Sequence, residues 1–315
     1  MTPLRIGTRG SALALWQARA VAAALERTGV AAELVIITTR GDAKQDVPLS
    51  AMGGKGVFVT EIHDALRREE IDLAVHSAKD MAAVSPRGLT IAAVLPREDP
   101  RDALVIPLGR TLAGGSEGHD NDGVAQPSRA ATTVIGTGSP RRIAQLRRLY
   151  PQARFESIRG NVDTRLRKLD AGQVDMLVLA CAGLRRLGLS DRISAPVAIA
   201  ECVPAPGQGI IAIEVRTGAE RTRSMVAALN DPDARTALAA EQAVVAELGG
   251  GCQLPLGVFA ELHGSDLAIR AVAASLDGAR IVHGEAAGNS AAAVETGIRL
   301  AQDLASRGAM ELLHS

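Results

Sequence analysis

The sequence predicts an α/β protein of two related lobes, followed by a small α+β domain. Three observations carry this. A strand, glycine turn and helix plan occurs twice in the first 200 or so residues, two proline-marked segments join the halves, and the periodicity changes near residue 228. The 315 residues are enough for two or three domains of ordinary size, and a hydrophobic content of 47% supports real cores. With three Phe, one Trp and one Tyr, those cores must be built from Ala, Val, Leu and Ile.

The first copy of the plan reads LRIGTRGSALALWQARAVAAALERTG: a strand from Leu4 to Gly7, a tight turn, and a helix that Ser11 is placed to cap. The second reads TTVIGTGSPRRIAQLRRLYP: a strand to Ile135, a turn containing Thr137, Ser139 as cap, and Pro140 at the first helical position, where proline is tolerated. Two further pairs keep the same order. ELVIITTRGD (33–42) matches RFESIRGNVD (154–163), and IDLAVHSAKD (71–80) matches VDMLVLACAG (174–183). Strands alternating with helices imply mainly parallel sheets covered on both faces. Ligands on such sheets bind beyond the strands' carboxyl ends, where helix N-termini favour an anion. One serine there is an ordinary cap. The repeated, arginine-bearing turn is what points to a ligand.

The joining segments are LPREDPRDALVIP (95–107) and CVPAPGQGIIAIE (202–214). If the second returns the chain to the first lobe, two strands cross and form a hinged cleft. Residues 109–130 are rich in Gly, Asp and Ser without apolar periodicity and read as a flexible surface excursion; His119 belongs to it. Beyond 228, DPDARTALAAEQAVVAEL predicts a helix with Asp231 or Asp233 near its start. Strands follow at Leu256–Leu262, Leu267–Ala274 and Ala279–Glu285, with Asp277-Gly278 as the hairpin turn, and a last helix covers about 290–308. Cys252 falls between the first helix and first strand, in ELGGGCQLPLG. Read alone, it is either a small buried hydrophobe or a thiol kept clear of neighbouring side chains.

Lys plus Arg equals Asp plus Glu at 35 each, so no overall field draws the chain to nucleic acid or membrane, and so few rings offer no stacking platform for bases. Three unevenly spaced cysteines form neither a disulfide framework nor a zinc pattern. The N-terminus has no apolar signal core, and no run reaches about 18 apolar residues, so a cytoplasmic location is expected. His76, Ser77, Lys79 and Asp80 are expected to crowd one strand end, with Asp80 as a carboxylate able to handle protons or steady a cation. His76 lacks a partner at metal-ligand spacing, so no metal is expected. Gly53-Gly54-Lys55-Gly56 is not a Walker loop; a mobile lid carrying Lys55 fits better. Arg141, Arg142 and Arg159 sit where strands end, whereas Arg147 and Arg148 read as solvated. Arginine binds carboxylates through a planar fork, so such a cleft suits a substrate with many of them.

Taken together, GTRGS, TRGD, GGKGVFVTE, AVHSAKD, REDPRDA, GTGSPRR, IRGNVDTRLRKLD, AGLRRLGL, PAPGQG and GGGCQLPLG closely resemble the porphobilinogen deaminase (hydroxymethylbilane synthase) family over nearly the whole chain. The resemblance implies two periplasmic-binding-protein-like (type II) domains with a crossed-over hinge, at 1–101 with 204–227 and at 102–203, and an α+β domain at 228–315. It implies a transferase that deaminates four porphobilinogens and joins them head to tail into hydroxymethylbilane, by way of linear oligopyrrole intermediates, in porphyrin and haem biosynthesis. It further implies a dipyrromethane cofactor held by a thioether to Cys252, an aspartate at Asp80 that steadies an azafulvene-like cation, and a monomer. By motif position, Arg9, Ser11, Ser77, Lys79, Thr137, Ser139, Arg141, Arg142, Arg159, Arg165 and Arg186 would hold substrate and cofactor, and Lys55 would sit on a mobile loop. Gly138 stands where a second serine is common, Ala51 replaces a frequent lysine, KDMAAV lacks a usual proline, and 109–130 is longer than usual. The competing reading is a non-catalytic two-lobed carboxylate-binding protein.

Overall fold

A computed structural model describes residues 2–39, 59–110, 133–250 and 254–314. Lys55 and Ala51, Cys252, and His119 with most of the 109–130 stretch lie outside the described residues. The chain forms three sheets.

In the first, β1 (Leu4–Thr8) leads through a turn into α1 (Ala12–Arg27), followed by β2 (Ala32–Ile36), α2 (Thr60–Arg67), β3 (Leu73–Ser77) and β4 (Leu89–Val94). The chain then leaves for the second sheet. There it forms β5 (Asp102–Val105), β6 (Val134–Gly136), α3 (Pro140–Leu149), β7 (Arg154–Glu156), α4 (Val162–Asp170), β8 (Met176–Ala180), α5 (Cys181–Arg186) and β9 (Ala195–Pro196). It returns as β10 (Ile211–Arg216), so the strand order is β2-β1-β3-β10-β4 in one sheet and β7-β6-β8-β5-β9 in the other. The two orders superimpose position by position, which is the duplication that the repeated motifs predicted.

The sheets are mixed rather than mainly parallel. β1 pairs in parallel with β2 and β3, but β10 runs antiparallel to β3 and β4; β5 does the same between β8 and β9. The crossing explains this. A chain leaving one sheet at its carboxyl edge enters the next at the same edge, and so runs against the strands already there.

Ile6, Leu73 and Ile213 of the first sheet pack on Val21 and Leu25 of α1. Leu177 and Leu179 pack on Leu166, Leu169 and Leu184 in the second. Both copies need a glycine in the first strand. A Cβ on Gly7 would run into Ile71 Cδ1, and one on Gly136 would lie 2.8 Å from Leu177 Cδ2.

After α6 (Glu220–Val226), α7 (Pro232–Glu247) starts with Asp231 as cap, its side chain accepting from Ala234 N at 2.7 Å. The antiparallel sheet β11 (Leu256–His263), β12 (Asp266–Ala274) and β13 (Ile281–Asn289) packs on α7 and α8 (Ala293–Ser306) through Val244, Val258, Ile269, Leu300 and Leu304. The expected last helix ends earlier than predicted. Gly308, at φ +87°, turns the chain, and a separate α9 (Ala309–His314) buries Leu313 in the same core.

Candidate active site

A cleft of about 810 Å³ opens at the carboxyl ends of β1, β3, β6 and β8. Its described lining includes Arg9 and Ser11 after β1, Ser77, Lys79 and Asp80 after β3, and Ser139, Arg141 and Arg142 after β6. Arg159, Arg165 and Arg186 complete the charged set. α7 and the start of the third sheet add Leu238, Gln242, Val245, Leu254 and Leu256. Among the described lining residues, Asp80 is the only carboxylate, facing six arginines and Lys79.

The arginines divide into two kinds. Arg141 and Arg142 are buried, and both close on Asp102, with Nη1 of Arg141 at 2.7 Å and Nη2 of Arg142 at 2.7 Å. Arg141 also donates to Val203 O, and Arg142 to Val178 O. Burial pushes the Asp102 carboxyl up, but the two guanidiniums hold it well below the usual carboxylate range. These two side chains, expected at the strand end as carboxylate ligands, are largely committed to the protein itself. Arg165 is the opposite case. Its guanidinium makes no hydrogen bond or ion pair among the described residues, its buried Nε is unpartnered, and burial with Arg142 and Arg159 nearby lowers it to about 10 while Asp80 opposes. A buried fork with open donors is suited to an incoming carboxylate. Arg159 is half-buried beside it. Arg186 donates to Gly209 O at 2.6 Å and lies 5.8 Å from the Trp16 ring; burial lowers it to about 10.

Lys79 contacts Gln208 Oε1 at 3.4 Å, and burial with Arg142 nearby lowers it to about 8 against the pull of Asp80 and Asp102. Asp80 is exposed at the end of a short 3₁₀ turn, Ala78–Asp80. Ser77 accepts from Gln17 Nε2 at 2.8 Å. Ser11 caps α1 through Ala14 N, whereas Ser139 occupies the N-cap of α3 without a side-chain capping bond. Thr137 is buried outside the described lining, and its Oγ1 accepts from Ser139 N at 3.3 Å.

Three residues that sequence reasoning missed bind the crossing segments to this site. Asp102 also accepts from Gln208 Nε2 at 2.9 Å, and Gln208 donates to Pro100 O. Glu241, wholly buried on α7, accepts from Arg97 Nη1, Ala260 N and Gly207 N at 2.6–2.8 Å. Each lies within or beside a quoted motif or predicted helix, yet its partners stand tens of residues away, which local spacing cannot reveal.

His76 does not join the strand-end group. It is buried behind β3, its Nε2 3.2 Å from Glu214 Oε2, with His63 on the other side at 3.0 Å. Arg147, expected to be solvated, donates to Asp277 O at 2.6 Å and so reaches the hairpin of the third sheet; Arg148 is exposed near His283. Cys181 and Cys202 are buried, and burial pushes both thiols up to about 12, which makes them poor nucleophiles. No helix among the described residues is long and apolar enough to cross a membrane.

A family model described as porphobilinogen deaminase, dipyromethane cofactor binding domain, matches residues 4–224, and one described as porphobilinogen deaminase, C-terminal domain, matches residues 236–306. The chain is 45% identical to the porphobilinogen deaminase of Acidithiobacillus ferrooxidans over 98% of its own length and 97% of that protein's. It is 46% identical to that of Roseiflexus sp. over 98% of each. Among solved structures, it is similar to an ABC transporter periplasmic substrate-binding protein from Coxiella burnetii, at 13% identity and a TM-score of 0.43 over 73% of this chain and 92% of that one. Two family models that between them span most of the chain, and relatives alike from end to end, place this protein in the porphobilinogen deaminase family.

Proposed function

We propose that the cleft binds porphobilinogen and the growing oligopyrrole, with Asp80 facing the positive charge that develops as ammonia leaves. The family reaction is the stepwise head-to-tail condensation of four porphobilinogens into hydroxymethylbilane, catalysed by a transferase. One observation carries the assignment of Asp80: a single exposed carboxylate in a described lining whose other charged groups are all cationic. It cannot serve to bind acetate or propionate groups. It favours a cation, and a fixed charge placed where charge develops is an efficient way to lower a barrier. Arg165 and Arg159 take carboxylates directly, with Arg9, Arg186 and Lys79 at the cleft wall. Arg141, Arg142, Asp102 and Gln208 hold the wall in place, and Ser77, Ser139 and Ser11 offer hydroxyls at its strand ends.

The dipyrromethane cofactor, when bound, supplies the pyrrole end to which substrate units are added. Its acetate and propionate groups suit this donor set, above all the unpartnered Nε of Arg165. Cys252 is the attachment we favour. Leu254 lines the cleft, two residues of chain span at most about 7 Å, and the two described thiols are raised by burial. We divide the chain at 1–101 with 204–227, 102–203 and 228–315, and read a cytoplasmic monomer with Lys55 on a lid. A non-catalytic carboxylate binder would account for the arginines but for neither Asp80 nor the family. Asp80→Asn keeps the shape and removes the charge. Its turnover of porphobilinogen is expected to fall by roughly 10²-fold or more with folding intact. Near-normal turnover would overturn the role of Asp80.

A further inference from the structure

Behind β3, away from the cleft, three side chains from three elements converge: His63 of α2, His76 of β3 and Glu214 of β10. β3 and β10 pair with Ala212 opposite His76 and Ala74 opposite Glu214, so His76 and Glu214 stand two positions apart on one face of the sheet, where α2 brings in His63. Their ligand atoms lie within 4.8 Å of one another. We propose that His63, His76 and Glu214 hold one divalent transition-metal ion of the zinc class, which ties α2 to the adjacent strands β3 and β10 of the first sheet.

Two observations support this independently. The first is geometry. Glu214 Oε2 lies 3.0 Å from His63 Nε2 and 3.2 Å from His76 Nε2. Bonds of about 2.0–2.1 Å in a tetrahedral site separate neighbouring ligands by about 3.3–3.4 Å, so little movement would seat an ion. The second is an unmet need. The Glu214 side chain is fully buried, and among the described residues Oε2 and Nε2 of each histidine have only one another as partners, at ion-pair distance. Glu214 Oε1 has no partner among the described residues, and a buried carboxylate left short of partners is costly. A dication would take Glu214 Oε2 and the two imidazole nitrogens as ligands and offset the charge of the carboxylate.

The donor set narrows the ion. Two imidazoles and a carboxylate suit zinc or cobalt(II), whereas calcium and magnesium favour oxygen donors. None of the three residues belongs to the described lining of the cleft, so the ion is structural here. Sequence spacing could not show the site, because its ligands sit at 63, 76 and 214.

The test uses the full-length holoenzyme, stripped with a chelator and titrated with Zn²⁺ by calorimetry and with Co²⁺ by visible absorption. We expect one ion per chain at micromolar Kd or tighter, Co²⁺ bands of tetrahedral type, and a Tm raised by at least about 4 °C under saturating Zn²⁺. All three signals should be lost in His63→Gln, whose side chain lies at the helix edge of the cluster. The wild-type measurements stand without the variant. Absence of saturable binding or of tetrahedral Co²⁺ bands in the wild type would overturn the proposal, as would Zn²⁺ binding unchanged in His63→Gln.

Discussion

Asp102 shows how a residue with no catalytic look can decide whether a site exists. It is buried beneath Arg141, Arg142 and Gln208, and removing its charge would strand two guanidiniums. Asp102→Asn is expected to cost about 3–5 kcal/mol in urea unfolding. The pH dependence has a defined sign. The folded-state carboxyl is depressed, so its contribution is complete above the unfolded value near 3.8 and is lost as pH falls below that through the folded value. Acid unfolding should therefore be shallower in Asp102→Asn than in the parent. The two kinds of arginine separate by experiment as well. Arg165→Ala should weaken porphobilinogen binding by about 1.5–3 kcal/mol with stability unchanged, since its guanidinium has no described protein partner to lose. Arg142→Ala should instead lower stability. Equal losses of stability in the two variants would contradict the division. The sequence marked both arginines through their motifs. It could not divide them, because the partner that commits Arg142 lies 40 positions away.

At the scale of elements, most of the fold was legible. β1, β3, β6 and β8 fall where apolar runs meet glycine or polar turns, Ser11 and Asp231 cap their helices, and Asp277-Gly278 makes its hairpin. What the sequence did not reveal is where elements touch. The hairpin lies against α3: Arg147 donates to Asp277 O, and a Cβ on Gly278 would stand 2.8 Å from Ala144 O. Gly278 also has φ +70°, so Gly278→Ala meets both backbone strain and a collision. We expect a loss of about 2–3 kcal/mol. Gly264→Ala is the control. Its φ is +65° with open space around it, and it should lose only about 1 kcal/mol. Equal unfolding midpoints for the two variants would mean that the hairpin does not press on α3.

At the scale of the whole molecule, the two crossings make the cleft. β4 leads to β5 and β9 leads to β10, each arriving antiparallel, and the two connectors are pinned by Gln208 to Pro100 O and by Glu241 to both Arg97 and Gly207 N. The repeated motifs anticipated paired lobes; the antiparallel entry was missed, because alternation of strand and helix carries no information on a strand contributed from the other lobe. The third sheet brings Leu254 and Leu256 to the cleft wall, which is why we assign the cofactor to the thiol just before them. That assignment is the centre of the account, and the intact mass of the denatured protein, produced in cells that make porphobilinogen, tests it most directly. The mass should exceed that of the sequence by one dipyrromethane, survive thiol reductants, persist in Cys181→Ala and Cys202→Ala, and vanish in Cys252→Ser. A fully active enzyme with an unmodified mass would contradict it.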